Sequence, residues 1–331
     1  MGGGDPAVVT REDGTAGRTL VTGWFSFLDG EVTAGDVLAL RRVREVLDRA
    51  GLPYDVAWRP GFRPGLLSLD DVRADGYTRL LFVCGPLAGS QVSGLHRQFS
   101  HCRRIAVGVS VIDPADPAVT GFHEVLARDA QDRPVTRDLA VRAPLGGRVP
   151  VVGVVLTDGQ GEYGPLRMHT EVAGKVGGWL AGRDCAPVVL QTRLDSRDGM
   201  LCSEPEQVVS ALERVDTVIT DRLHGLVLAL RAGVPPIVID PVRGGAKVSA
   251  QAHACRWPAL VPGEALSASV LDAWWAWCAS RGREAARHRR AVPAGGPDAA
   301  DELAALLASG GTRPAASAVA PRRRAPRRAA G

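Results

Sequence analysis

Between residues 151 and 241 the chain alternates short apolar runs with amphipathic stretches, and this rhythm constrains the fold more than any other feature. Strands are predicted at 151–156, 187–191, 217–220 and 236–239, and helices at 166–180, 205–214 and 222–232. The apolar runs are too short for helices and carry no polar alternation, as strands covered on both faces should look. Ser203 with Glu206 three residues on is arranged as a capping box for the second helix, and Gly233 stops the third. A βαβαβαβ string closes only as a parallel sheet with helices on both faces, which excludes all-α and all-β folds for this half.

The N-terminal half repeats the rhythm less regularly. Strands are predicted at 18–24, 54–58, 80–84 and 104–109, with helices at 35–50 and 91–100. In the first helix Val37, Leu38, Leu40, Val43, Val46 and Leu47 share one face, and Gly51 ends it. Residues 145–150 (LGGRVP) read as a linker. The expected fold class is therefore α/β, with Rossmann-like domains at 18–146 and 147–308. Segments 1–17 and 309–331 are expected to be disordered, the first Gly-rich, the second rich in Arg, Ala and Pro. Further helices are predicted at 266–281 and 298–307; Trp274, Trp275 and Trp277 on the former are expected to pack against a neighbouring domain.

Charge narrows the function classes. The 331 residues hold 40 Lys+Arg and 36 Asp+Glu, but residues 312–331 carry six arginines and no acid, leaving residues 1–311 at −2. The folded part thus has no electrostatic footprint for nucleic acid. The basic tail is expected to be solvated, contact with acidic lipid or polymer being its other use. No run nears the roughly 20 apolar residues of a membrane span, and Asp5, Glu12 and Asp13 do not make a signal peptide, so the expectation is a cytoplasmic protein. Six scattered cysteines lack CxxC spacing, and His96 and His101 lack metal-ligand partners; no metal or cofactor is expected.

The segment 215–241, VDTVITDRLHGLVLALRAGVPPIVIDP, carries the chemistry. A strand ends at Thr220, Asp221 can cap, and Arg222 and His224 fall in the first turn of the next helix. Ligands of open parallel sheets bind at the carboxyl ends of strands, and a helix start offers free N–H groups to an anion. Arginine adds a bidentate grip and histidine a proton near neutral pH. Residues two apart diverge on a helix, so both serve one ligand only if it lies over the helix end. The plainer alternative is a surface arginine and a core histidine.

Asp221-Arg222-Leu223-His224-Gly225, then an apolar helix, Ala232-Gly233-Val234-Pro235 and a strand ending in Asp240-Pro241, resembles the polysaccharide pyruvyl transferase family. The likeness runs from about 149 to 260, with weaker support from Thr22-Gly23-Trp24 and Ala34-Gly35-Asp36. It implies a GT-B-like pair of Rossmann-like domains facing a cleft, and transfer of a pyruvyl group from phosphoenolpyruvate to saccharide hydroxyls as a ketal, with release of phosphate. It assigns Arg222 and His224 to phosphoenolpyruvate. Arg222 suits the clustered negative charge, and protonated His224 suits delivery of a proton to the methylene carbon.

Lys247, past Gly244-Gly245, stands where the family carries a lysine after Asp-Pro, at a stretched spacing. Asp36 is a candidate for orienting or deprotonating the acceptor, or else caps its helix. The basic residue usual after the first strand of the second domain is missing: residues 156–164 read LTDGQGEYG, which leaves Asp158 or Glu162 to the acceptor, with Arg193 or Arg197 to supply the charge. In the Gly-rich loop 84–89, Pro86 removes one N–H from any phosphate cradle. Two rival readings remain open, a GT-B glycosyltransferase using a nucleotide sugar and a non-catalytic member that binds a glycan or anion.

Overall fold

The computed structural model describes residues 17–131, 134–157, 161–291 and 298–308. The chain divides between Gly147 and Arg148 into two compact units. Unit 1 holds β1 (Thr19–Thr22), α1 (Ala34–Arg49), β2 (Tyr54–Val56), β3 (Arg79–Pro86), α2 (Gly89–Gln98), β4 (Arg103–Val111), α3 (Pro117–Thr120) and β5 (Glu124–Ala130). Its sheet is parallel, in the order β2-β1-β3-β4-β5. Unit 2 holds β6 (Val151–Val155), α4 (His169–Ala181), β7 (Ala186–Val189), α5 (Pro205–Leu212), β8 (Thr217–Thr220), α6 (Leu223–Ala232), β9 (Pro236–Asp240), α7 (Lys247–Ala254), β10 (Leu260–Pro262), α8 (Ala268–Trp277), α9 (Arg283–Ala291) and α10 (Ala299–Ala308). This second parallel sheet runs β10-β9-β8-β6-β7. Each unit's first strand lies second in its sheet, and the chain leaves it in opposite directions on its two sides.

Side-chain alternation divides each strand between two cores. In β1 and β3, Leu20, Leu80 and Phe82 enter the core with α2, whereas Val21 and Val83 enter the core with α1. In unit 2, Val152 and Ile219 join the core containing α4, and Val155 and Val218 the core containing α5. Helix α6 serves both, through Leu226 and Leu230 on one side and Ala229 and Ala232 on the other. It ends at Gly233 (φ 74°), the left-handed position that the sequence marked.

Several boundaries differ from expectation for local reasons. β1 stops at Thr22 because Trp24–Ser26 forms a 3-10 turn, pinned where the Ser26 hydroxyl donates to the Ala57 carbonyl at 2.6 Å. The cap of α5 sits further along: the Gln207 side-chain oxygen accepts from the Ser203 and Glu204 N–H groups at 2.8 and 3.3 Å, displacing the expected Ser203–Glu206 pair. The three tryptophans correct another expectation, since they pack within unit 2: Trp277 lies edge-on to Trp257 at 5.3 Å and Trp275 to Trp179 at 5.6 Å. Strands β5 and β10 and helix α7 carried too little apolar pattern to be read. β5, EVLARDA, lies at a sheet edge, where charge is tolerated.

Ile219, fully buried in the middle of the unit 2 sheet, tests this layering. Ile219→Ala is expected to lower stability by about 2–5 kcal/mol, read as a lower urea midpoint, while Val189→Ala on exposed edge strand β7 stays within about 0.5 kcal/mol.

Candidate functional site

In unit 2 the chain leaves β6 toward β7 on one side and toward β8 on the other, so the carboxyl ends of β6 and β8 frame the point where ligands of such sheets bind. The turn from β8 into α6 is built on Thr220. Its buried hydroxyl donates to the Val155 carbonyl of β6 at 2.8 Å and accepts the Arg222 N–H at 3.0 Å. A Cβ on residue 225 would fall 2.1 Å from that hydroxyl, which is why glycine stands at Gly225. The expected Asp221 cap is not made; Asp221 is buried and accepts the Thr157 N–H at 3.0 Å, tying the loop after β6 to the turn after β8.

Arg222 is consequently the N-cap of α6, one place earlier than expected, and His224 is its second residue. Arg222 is half-buried and His224 exposed, and neither side chain has a hydrogen-bond or ion-pair partner among the described residues. The first bond of the helix runs from the Leu226 N–H to the Arg222 carbonyl at 3.1 Å, leaving the N–H groups of Leu223 and His224 open ahead of it.

Two further loops border this turn. Asp240, fully buried at the end of β9, accepts the N–H groups of Val242, Ala246 and Ser249 at 3.1, 2.7 and 2.8 Å. The carboxylate thereby shapes the loop after β9 and caps α7, whose first residue is Lys247. Lys247 is exposed, its ammonium 5.9 Å from the Tyr163 ring centroid. The loop after β6 crosses to the loop after β9: the Met168 N–H donates to the Pro241 carbonyl at 2.8 Å, the Arg243 N–H to the Leu166 carbonyl at 2.9 Å, and Arg167 bridges Val242. Arg167 is thus a basic residue of the same loop, past the acidic segment 156–164. Beside it His169 is 3% exposed, with Nδ1 lacking a partner among the described residues. Burial pulls its pKa below the ordinary value; the charges of Arg167 and Lys247 act in the same direction, against Asp240 and Glu162. Arg167 and His169 were not read from the sequence, although two basic residues at a helix start after a strand are the signal that would have found them.

The other candidates lie apart or serve the scaffold. Arg193 is exposed in the segment after β7, with β6 between its strand and β8. Asp158 lies outside the described residues, as does the basic tail. Asp36 caps α1: its carboxylate accepts from the Thr33 N–H and hydroxyl at 3.2 and 2.8 Å, and it also faces the Cys84 thiol, whose pKa burial and then this carboxylate push up to about 12. The Gly-rich loop of unit 1 is covered by Trp24, whose indole N–H donates to the Pro86 carbonyl at 2.9 Å, and a Cβ on Gly85 would strike the indole at 2.2 Å. His96 and His101 bond to backbone carbonyls. Among the described residues no group of three or more His, Cys, Asp or Glu side chains is placed to hold a metal ion, and no helix is long and apolar enough to cross a membrane.

Residues 189–241, which contain β8, α6 and β9, match the family model of the polysaccharide pyruvyl transferases. No curated protein matches the chain at a comparable level. Among solved structures the chain is similar to MurG of Acinetobacter baumannii, at 12% identity over 88% of this chain and 99% of that one, TM-score 0.34. It is also similar to the glycotransferase of kitacinnamycin, at 14% identity over 88% and 98%, TM-score 0.31. The spinosyn rhamnosyltransferase SpnG, solved with thymidine diphosphate, is 14% identical over 88% and 100%, TM-score 0.29.

Two outcomes follow from this geometry. Gly225→Ala is expected to displace Thr220 and the α6 turn and to cost about 1–3 kcal/mol in urea unfolding. For His169, whose folded pKa lies below its ordinary 6.5, the unfolded chain takes the proton first as pH falls; its contribution is present above pH 6.5 and is lost as pH drops toward the folded value. The stability gap between the wild type and His169→Asn should therefore shrink from pH 7.5 to 5.5 in urea titrations, and a gap that stays constant or widens contradicts it.

Proposed function

We propose that the chain is a transferase that moves a pyruvyl group from phosphoenolpyruvate to a saccharide hydroxyl, with the donor held at the carboxyl edge of the unit 2 sheet. The observation that carries this reading is the unpartnered pair Arg222 and His224 at the start of α6, within the segment that matches the pyruvyl transferase family. Phosphoenolpyruvate carries a phosphate and a carboxylate on one enol carbon. Arg222, the open N–H groups of α6 and Lys247 offer positive charge and donors to those two groups. Arg167, whose backbone pairs with Val242, adds a cation to the acidic loop after β6.

In the reaction, His224 as imidazolium gives its proton to the methylene carbon. The charge that develops at the neighbouring carbon is met by the oxygen of an acceptor hydroxyl, and the carbon–oxygen bond to phosphate breaks. The hydroxyl proton leaves with the phosphate, and a second acceptor hydroxyl adds to the same carbon to close a ketal, its proton returning to His224. Asp36 accepts from Thr33 within the α1 cap, and this scheme assigns it no proton transfer.

Calorimetric titration with phosphoenolpyruvate, and separately with UDP and GDP, tests the reading. Phosphoenolpyruvate should bind, and Arg222→Ala should weaken it at least tenfold, since hydrogen bonds to charged groups contribute about 1.5–3 kcal/mol. His224→Gln should keep binding within a few-fold while turnover falls by about 10²–10⁴. Binding of a nucleotide with silence toward phosphoenolpyruvate would move the protein to the nucleotide-sugar glycosyltransferases, and turnover untouched in His224→Gln would remove its acid role.

A further inference from the structure

Helix α10 (Ala299–Ala308) closes the described part of unit 2, and every one of its residues is exposed. Its leucines and its charges occupy different faces. At about 100° per residue, Leu303, Leu306 and Leu307 share one face with Ala299 and Ala300, whereas Asp301 and Glu302 fall on the other, with Asp298 ahead of them. Leu303 and Leu307, one turn apart, are 54% and 74% exposed. A helix of this length is marginal in water unless its apolar face is covered.

The charge beside the face decides what covers it. Residues 312–331, which follow α10, hold six arginines and no acid. On α9, before it, Arg283 and Arg290 are paired with Asp216 and Glu213, while Arg287 is exposed with no ion-pair partner among the described residues. The acids at the start of α10 do not oppose this. Asp298 accepts the Ala300 and Asp301 N–H groups at 2.8 and 3.2 Å, and Asp301 accepts that of Asp298 at 2.9 Å, so both serve the helix start. A second copy of the chain would cover the leucines but would bring its own arginines against the first set. Nucleic acid would answer the arginines and offer the leucines no apolar phase. An anionic lipid surface supplies both, with hydrocarbon in reach of a helix sunk about 5–10 Å into it.

We infer that α10 is a peripheral contact with an anionic membrane. The helix lies flat in the interface with Leu303 and Leu307 toward the hydrocarbon, and the arginines of 312–331 meet the lipid phosphates. Neither signal suffices alone, since a short helix buries little and arginines by themselves are screened by salt. The inference is independent of the transferase reading.

Sedimentation of the full chain with vesicles of phosphatidylcholine alone, and of phosphatidylcholine and phosphatidylglycerol in equal parts, tests it. The wild type should sediment with the anionic vesicles and not the neutral ones, and should be released as salt rises from about 0.1 to 1 M. Leu303→Ser with Leu307→Ser, and separately removal of residues 312–331, should each raise the lipid concentration for half-binding at least tenfold. Both variants should keep the wild-type urea midpoint, because neither touches the core. Binding to both vesicle types alike or to neither overturns the inference, as does anionic binding that ignores salt or persists unchanged in either variant. A dimer in light scattering that the leucine variant dissolves gives the face to a second copy, and tighter binding to duplex DNA than to the anionic vesicles gives the arginines to nucleic acid; each overturns it too.

Discussion

One hydroxyl holds the working end of unit 2 together. Thr220 Oγ1 gives its hydrogen to β6 and receives the N–H that opens α6, and it fills the space that any side chain at residue 225 would need. Two strands and a helix are thus locked at the point where the strand order reverses. The lock sets where Arg222 leaves the backbone, and with it which direction the open N–H groups of α6 face. Asp221 adds the second tie, to Thr157, which joins the start of the loop after β6 to this turn. A site that depends on half-buried charge needs such rigidity, because an arginine free to find another carboxylate would do so.

Much of this was legible in the sequence where a pattern had a physical cause. The short apolar runs of unit 2 had to be buried strands, and Gly233 had to end a helix. The charged motif after Thr220 had to sit at a strand's carboxyl end. What stayed hidden depends on contacts between segments distant in the chain. Nothing near residue 220 tells that its hydroxyl, and not Asp221, meets the Arg222 N–H; that follows from the approach of Val155, 65 residues earlier. Arg167 was overlooked because the loop after β6 was read only to residue 164, whereas the bridge to Val242 brings its later part back to the sheet edge. The tryptophans of α8 were misplaced for the same reason, as the partners that bury them, Trp257 and Trp179, lie outside their own helix.

The two units share a strand order yet treat their switch points oppositely. In unit 1 Trp24 lies over Gly85 and bonds to Pro86, so the loop that resembles a phosphate cradle is roofed by an indole and has lost one N–H to proline. In unit 2 the borders of the equivalent point carry Arg222, His224 and, across the neighbouring loops, Arg167 and Lys247. Duplicated topology therefore does not imply duplicated chemistry.

Asp240 is the apparent objection to an anion at this edge, since a buried carboxylate should repel one. Its oxygens, however, accept three backbone N–H groups at 2.7 to 3.1 Å, so its charge is spread into the loop and the α7 cap. Glu162, the other acid acting on His169, is matched by Arg167 and Lys247 acting in the opposite sense. Arg222 has no such match among the described residues. A half-buried guanidinium without a counter-ion loses hydration and gains nothing in exchange, a cost that an arriving anion removes. The reading of an anion at the start of α6 rests on that imbalance.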